Sequence, residues 1–288
     1  MPAGDVLTRA APPPDFTVSY GPGDDQVADV RLPSRRTAPS GRSGPARPAA
    51  GAAPPARPRP APLVLFLHGG FWRAAYDRRH AGPLAEALSA AGLAVCVPEY
   101  RRTGQPGGGW PGTFDDVKSA VAMLPGAVAH AAGDSVDAGR MLLSGHSAGG
   151  HLALWAAGQP ARPARAVVSL AGVCDLAACY RLALGSGAAA ELMGGGPGEF
   201  PDRYRAADPM TGVPTGAEIF LVHGTADDQV PWQLSRDYQA RATAAGDAVS
   251  CALLPEVGHL DVIDPLSRAW PDVLAAFRAA ADGLAKIS

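Results

Sequence analysis

The sequence predicts an α/β protein: a mostly parallel central sheet of about eight strands, helices on both faces and a small cap. Three observations predict it. Short apolar runs alternate with stretches of helical spacing along most of the chain, the βα rhythm of a parallel sheet. Several of those runs, such as residues 63–67 and 218–222, are apolar without alternation, as strands covered on both faces are. Finally, Gly145-His146-Ser147-Ala148-Gly149 directly follows the apolar Met141-Leu142-Leu143, so a G-x-S-x-G pattern stands where a strand should hand over to a helix.

Residues 16–20 and 26–32 read as two short strands joined by the turn signal Gly21-Pro22-Gly23-Asp24-Asp25, an antiparallel edge to the sheet. Residues 34–62 are rich in Pro, Ala, Arg and Gly with almost no large apolar side chain, too little to offset the entropy of ordering them. They are expected to be a disordered insertion within one domain spanning 1–288. Strand 63–67 follows, then a helix over 79–91 ended by Gly92, and a strand over 93–97. A helix over 115–128 carries acidic residues in its first turn, where they suit the macrodipole. Strand 140–144, helix 149–157 and strand 166–170 come next. Residues 174–214 break the rhythm, Gly-rich and weakly helical, and form the expected cap. Strand 218–222, helix 232–245, strand 250–254 and helix 267–284 complete the chain.

Composition narrows the classes of function. A net charge of −2 over 288 residues gives no reason to expect a nucleic acid or an anionic membrane as partner. The cations are nearly all arginine; the lysines are Lys118 and Lys286. Cys96, Cys174, Cys179 and Cys251 form no C-x-x-C pair, and Cys96 and Cys251 lie in apolar runs where a small buried thiol is expected. Residues 1–15 lack the apolar core of a signal peptide, and no apolar run reaches the roughly 20 residues of a membrane span, so a cytoplasmic location is expected. No H-E-x-x-H and no dinucleotide fingerprint is present, so neither metal nor cofactor is expected.

The chemistry centres on Ser147. A serine hydroxyl becomes a nucleophile when a histidine takes its proton and a carboxylate orients that histidine. After an elbow of this kind the chain order is Ser, then Asp or Glu, then His. Of seven histidines, His146 lies inside the elbow with its ring expected to point away into the core. His151 is on the following helix, and His80 and His130 are on or beside surface helices. His68 and His223 each end a strand before a glycine, where a turn-stabilising hydrogen bond is expected. His259 remains, after Gly258, on a loop at the carboxyl edge where open α/β sheets bind ligands. The acid should follow strand 218–222, where Asp227 and Asp228 both qualify. Past strand 63–67, His68-Gly69-Gly70-Phe71-Trp72 offers backbone N–H groups for an oxyanion: Gly70, Phe71 and, after the nucleophile, Ala148. Trp72 and Trp110, on loops after successive strands, are candidates to line a substrate pocket.

These elements resemble the α/β-hydrolase fold superfamily over nearly the whole chain from Phe16. His68-Gly69-Gly70-Phe71-Trp72 is similar to the H-G-G-x-W or H-G-G-G element of hormone-sensitive-lipase-like carboxylesterases and of kynurenine formamidases. Gly145 to Gly149 is similar to their elbow, and Gly258-His259 to their base loop. His223-Gly224-x-x-Asp227-x-x-Val230-Pro231 is similar to their acid loop, and that register selects Asp227 over Asp228. Two departures stand out: insertion 34–62 has no counterpart, and Phe71 replaces the third glycine of H-G-G-G, as in formamidase-like or compact esterase branches. The resemblance implies a serine hydrolase acting on a small-molecule carboxylic ester or activated amide, with an arylformamidase as the alternative. A small acyl-peptide hydrolase fits less well, because no propeller repeat is present. A non-catalytic hydrolase-fold binding protein is the reading from another class, and the intact Ser/Asp/His set argues against it.

Overall fold

A computed structural model describes residues 5–33, 59–161 and 164–285. Most of the expected insertion, residues 34–58, lies outside the described residues; its last two positions, Ala61 and Pro62, belong instead to a strand. The strands are β1 (Phe16–Ser19), β2 (Val27–Arg31), β3 (Ala61–Leu67), β4 (Ala94–Pro98), β5 (Val136–His146), β6 (Ala166–Leu170), β7 (Glu218–Gly224) and β8 (Ala248–Leu254). They form one sheet in the order β1-β2-β4-β3-β5-β6-β7-β8. Strands β3 to β8 are mutually parallel; β2 pairs antiparallel with β1 and β4.

The helices are α1 (Asp5–Thr8), α2 (Gly82–Ala90), α3 (Gly112–Ala132), α4 (Ala148–Ala157), α5 (Leu176–Arg181), α6 (Leu184–Met193), α7 (Pro201–Ala207), α8 (Gln233–Ala245) and α9 (Trp270–Ala285). The period of two along a strand sorts the core into two layers. Leu63, Leu65 and Leu67 of β3 face a core shared with α3, α4 and α8; Val64 and Phe66 face one shared with α2 and α9. This is why β3 reads as an unbroken apolar run. No described helix is long and apolar enough to cross a membrane.

Strand order reverses between β3 and β5, since β3 leads to β4 on one side and the chain returns to β5 on the other. Such a switch point opens a crevice at the carboxyl ends of the strands. The segments after β3, β5, β7 and β8 all emerge at that edge. The 174–214 segment, expected as a cap, contains α5, α6 and α7.

Candidate active site

Strand β5 ends at His146, and α4 starts at Ala148, leaving Ser147 as the whole turn. Its φ of 54° and ψ of −118° are strained for a residue with a side chain. Two glycines make the turn possible. A Cβ on Gly145 would lie 2.2 Å from the Gly149 carbonyl oxygen, and one on Gly149 would lie 1.9 Å from that of Leu67. The strained residue is fastened on both sides. Ser147 N–H donates to Leu170 O at 2.9 Å, and its carbonyl accepts from Val173 and His151 N–H, both at 3.1 Å.

His259 follows β8 and donates from Nδ1 to Oδ2 of Asp227 at 2.7 Å. Asp227 is turned inward by its own loop: Oδ1 accepts the N–H groups of Gln229 and Val230, each at 2.8 Å. Its side chain is fully buried. Burial opposes ionisation, but the bonds from His223 and His259 outweigh it and hold the carboxyl well below the usual range. Asp228, the other sequence candidate, makes none of these bonds.

The loop after β3 lies against the elbow. A Cβ on Gly69 would lie 2.9 Å from His146 Nδ1 and 3.2 Å from Ser147 Cβ. Gly70, Phe71 and Trp72 have φ of 110°, 51° and 57°, three successive left-handed residues that swing the backbone around. Ala148 is the first residue of α4, where N–H groups lie outside the helical ladder. The three expected N–H donors, Gly70, Phe71 and Ala148, therefore sit on two segments in contact beside Ser147.

A polar network that sequence reasoning missed supports this loop. His68 is fully buried; its Nδ1 and Nε2 meet Gly69 O at 2.9 Å and Glu99 Oε1 at 2.8 Å. Glu99 also accepts Arg78 N–H and pairs with Arg102 at 3.0 Å. Burial opposes ionisation of Glu99, and the His68 bond and these charges outweigh it, so its carboxyl sits below the usual value. Tyr100 stacks on His68 at 4.4 Å between centroids and donates to His68 O at 2.8 Å. Charged residues at Glu99, Arg101 and Arg102, immediately after a buried parallel strand, were the available signal.

Two expectations are corrected and a third is extended. Trp72 does not line a pocket: the left-handed turn drives its indole into the core, fully buried and edge-on to His151 at 5.1 Å. His146 does not point away from the base. Its Nε2–H donates to the His259 carbonyl at 3.0 Å, and the two rings lie 4.6 Å apart. Burial pushes its ionisation well below the ordinary histidine range. His223 does more than stabilise a turn, since it bonds Asp227 itself at 3.0 Å. Trp110 is half-buried, edge-on to Phe114 at 5.1 Å, with its backbone N–H donating to Leu192 O at 2.7 Å.

The helical segment closes on the same loop. Arg73 pairs with Glu191 of α6 through two bonds of 2.7 and 2.8 Å, and Gly185 lies against the Phe71 ring. All four cysteines are free. Burial pushes the thiols of Cys174 and Cys179 up to about 12. Among the described residues no His/Cys/Asp/Glu cluster could hold a metal ion.

The geometry agrees with what the chain is similar to. It is 31% identical to "Esterase LipQ" of Mycobacterium tuberculosis over 218 residues, 70% of this chain and 50% of that one. The chain spans about half the length of the curated mycobacterial esterases it matches. Its fold is shared with a truncated carbohydrate esterase from gut microbiota, at a TM-score of 0.73 and 19% identity, covering 93% of this chain and 97% of that one. It is also shared with esterase B from Lactobacillus rhamnosis, at 0.74 and 19%, covering 99% and 90%. Residues 52–241 match the BD-FAE family, and the chain therefore belongs to that family of hormone-sensitive-lipase-like α/β hydrolases.

Proposed function

We propose that this protein is a serine carboxylesterase for small ester substrates, with Ser147 as nucleophile, His259 as base and Asp227 as its orienting acid. The observation that carries the reading is the Asp227–His259 bond of 2.7 Å, formed by two residues 32 apart in sequence at the edge that holds the strained Ser147. His259 Nε2 takes the serine proton as Oγ attacks the ester carbonyl. The N–H groups of Gly70, Phe71 and Ala148 stabilise the oxyanion. His259 then protonates the leaving alcohol, and water activated by the same ring releases the acid. The esterase relatives favour an ester over a formamide. The small cap, three short helices over residues 174–214, favours short acyl groups. Four unpaired thiols suit a reducing, cytoplasmic setting.

The test is a hydrolysis panel of p-nitrophenyl esters of rising chain length beside N-formylkynurenine, with Ser147→Ala as blank. Acetate and butyrate should turn over, with kcat/KM falling sharply at longer chains. A kcat/KM for N-formylkynurenine about a hundredfold above every short ester would replace the esterase reading by the arylformamidase one.

A further inference from the structure

The acid loop carries a second histidine that the reaction scheme leaves unused. His223, the penultimate residue of β7, is fully buried. Its Nε2 lies 3.0 Å from Asp227 Oδ2 and 3.0 Å from the Val230 carbonyl oxygen. Its Nδ1 lies 2.7 Å from Ser235 Oγ on α8. Both neighbours of Nε2 are acceptors, so that nitrogen carries the proton. The Ser235 hydroxyl then donates to Nδ1, and both ring nitrogens are satisfied.

We propose that His223 is a positioning residue for the acid: its Nε2–H shares Oδ2 of Asp227 with the Nδ1–H of His259, and Ser235 holds it in the tautomer that can do so. The inference rests on the roles proposed above for Asp227 and His259. The shared oxygen is what gives His223 a kinetic role. Two backbone N–H groups already fix Oδ1, so Oδ2 is the atom left to serve His259. No water competes for it, because the Asp227 side chain is fully buried. A second donor on Oδ2 spreads the carboxylate charge over two imidazoles and tempers its pull on the His259 cation. Without His223 that charge acts on His259 alone, and the protonated, inactive base becomes easier to form.

Other groups facing this cluster are His146 from the elbow, Cys174 with Sγ 3.7 Å from Ser235 Oγ, Asp228 beside the acid, and Asp261 on the base loop. All remain in place in the variants below, so a shift between variants reports His223.

The experiment compares His223→Leu, which removes all three hydrogen-bond contacts, to Asp227, Val230 and Ser235, with His223→Gln, whose amide keeps an N–H at the Nε2 position, and with Ser235→Ala. The readouts are kcat, KM and the pH profile of kcat/KM with p-nitrophenyl acetate. His223→Leu should lower kcat by about 10–100-fold and change KM by less than about threefold. Its acid limb should move up by about half a pH unit or more. His223→Gln should return kcat to within about fivefold of wild type and restore the limb. Ser235→Ala should shift the limb the same way by less. A folded His223→Leu with wild-type kcat and limb would overturn the proposal. So would equal losses in the Leu and Gln variants with no shift, which is the signature of a packing role. Should His223→Leu not fold, an unmoved limb in Ser235→Ala overturns it. The two readings fail differently: full activity in Ser147→Ala sinks the proposed function, whereas an inactive Ser147→Ala beside an unaffected His223→Leu sinks the positioning role alone.

Discussion

His151 should make the fold acid-sensitive well above the carboxylate range. It lies one turn past Ser147 on α4, and its ring is fully buried between Trp72 and Phe114. Nε2–H donates to Ala207 O at 2.9 Å, at the end of α7, while Nδ1 has no partner. A second proton would therefore sit on a buried nitrogen facing no acceptor. Burial lowers the pKa from 6.5 to about 4, partly opposed by the bond to Ala207. In the unfolded chain the ring titrates near its ordinary value, so between those limits the native state binds fewer protons. The contribution to stability is complete above about pH 6.5, falls as the pH is lowered through the window, and levels off below about 4. The full gap is worth about 3 kcal/mol, of which about 2.5 kcal/mol is gone at pH 4.5. His151→Gln isolates it, because the glutamine amide keeps a donor for Ala207 O without the titration. Urea unfolding of both proteins at pH 7.5 and pH 4.5 gives a double difference in which every other titrating group cancels. Wild type should lose about 2 kcal/mol more than the variant, about 4 °C or more in Tm. A double difference below about 0.5 kcal/mol would refute the reasoning.

Within the proposed triad, Ser147→Ala and His259→Ala should each lower kcat by about 10⁴ or more, measured on p-nitrophenyl acetate. Asp227→Asn should be severe and Asp228→Asn mild; the reverse order would mean the acid loop is misread. Gly149→Ala should destabilise by about 3 kcal/mol or more, because its Cβ meets the backbone of Leu67 and His68. Gly126→Ala on α3, where a Cβ meets nothing within 4 Å, should stabilise by about 0.5–1 kcal/mol; chemical denaturation compares the two. Replacing residues 34–58 by a Gly/Ser linker of about eight residues should move Tm by no more than about 3 °C. The flanking strands support this. Arg31 pairs with Val95 and Leu63 with Ala94, so these two strand residues lie about 10 Å apart across β4, and the chain leaves both strands at the same end of the sheet.

What the sequence made legible was whatever depends on local pattern. The run 63–67 reads as a buried strand because both faces of β3 are covered, and Gly145 and Gly149 read as an elbow because no Cβ fits at either position. The antiparallel edge follows from one tight turn. The acid-loop register points to Asp227 over Asp228; in the structure two N–H groups of its own loop bond Asp227, and its other oxygen meets His259 Nδ1.

What stayed illegible depends on where a side chain points after the chain has folded. Trp72 sits on the loop where a pocket residue would, but three successive left-handed residues, Gly70 to Trp72, reverse its direction, and spacing carries no sign of φ. The Arg73–Glu191 pair joins residues 118 apart, so nothing local marks either as special. His146 and His223 show the limit most clearly. His223 makes the turn bond expected of it, to Val230 O, whereas His146, whose ring is expected to point away into the core, is buried against the His259 loop. The partners change their meaning: His146 bonds the backbone of His259, and His223 bonds the same carboxylate oxygen that His259 bonds. Both are adjacent to motif residues because neighbouring parallel strands end at one edge, so the residues flanking the proposed triad in sequence also surround it in space. In a sheet of this topology a buried histidine beside such a loop is therefore in hydrogen-bond reach of the groups proposed to react, and its test should be kinetic as well as thermodynamic.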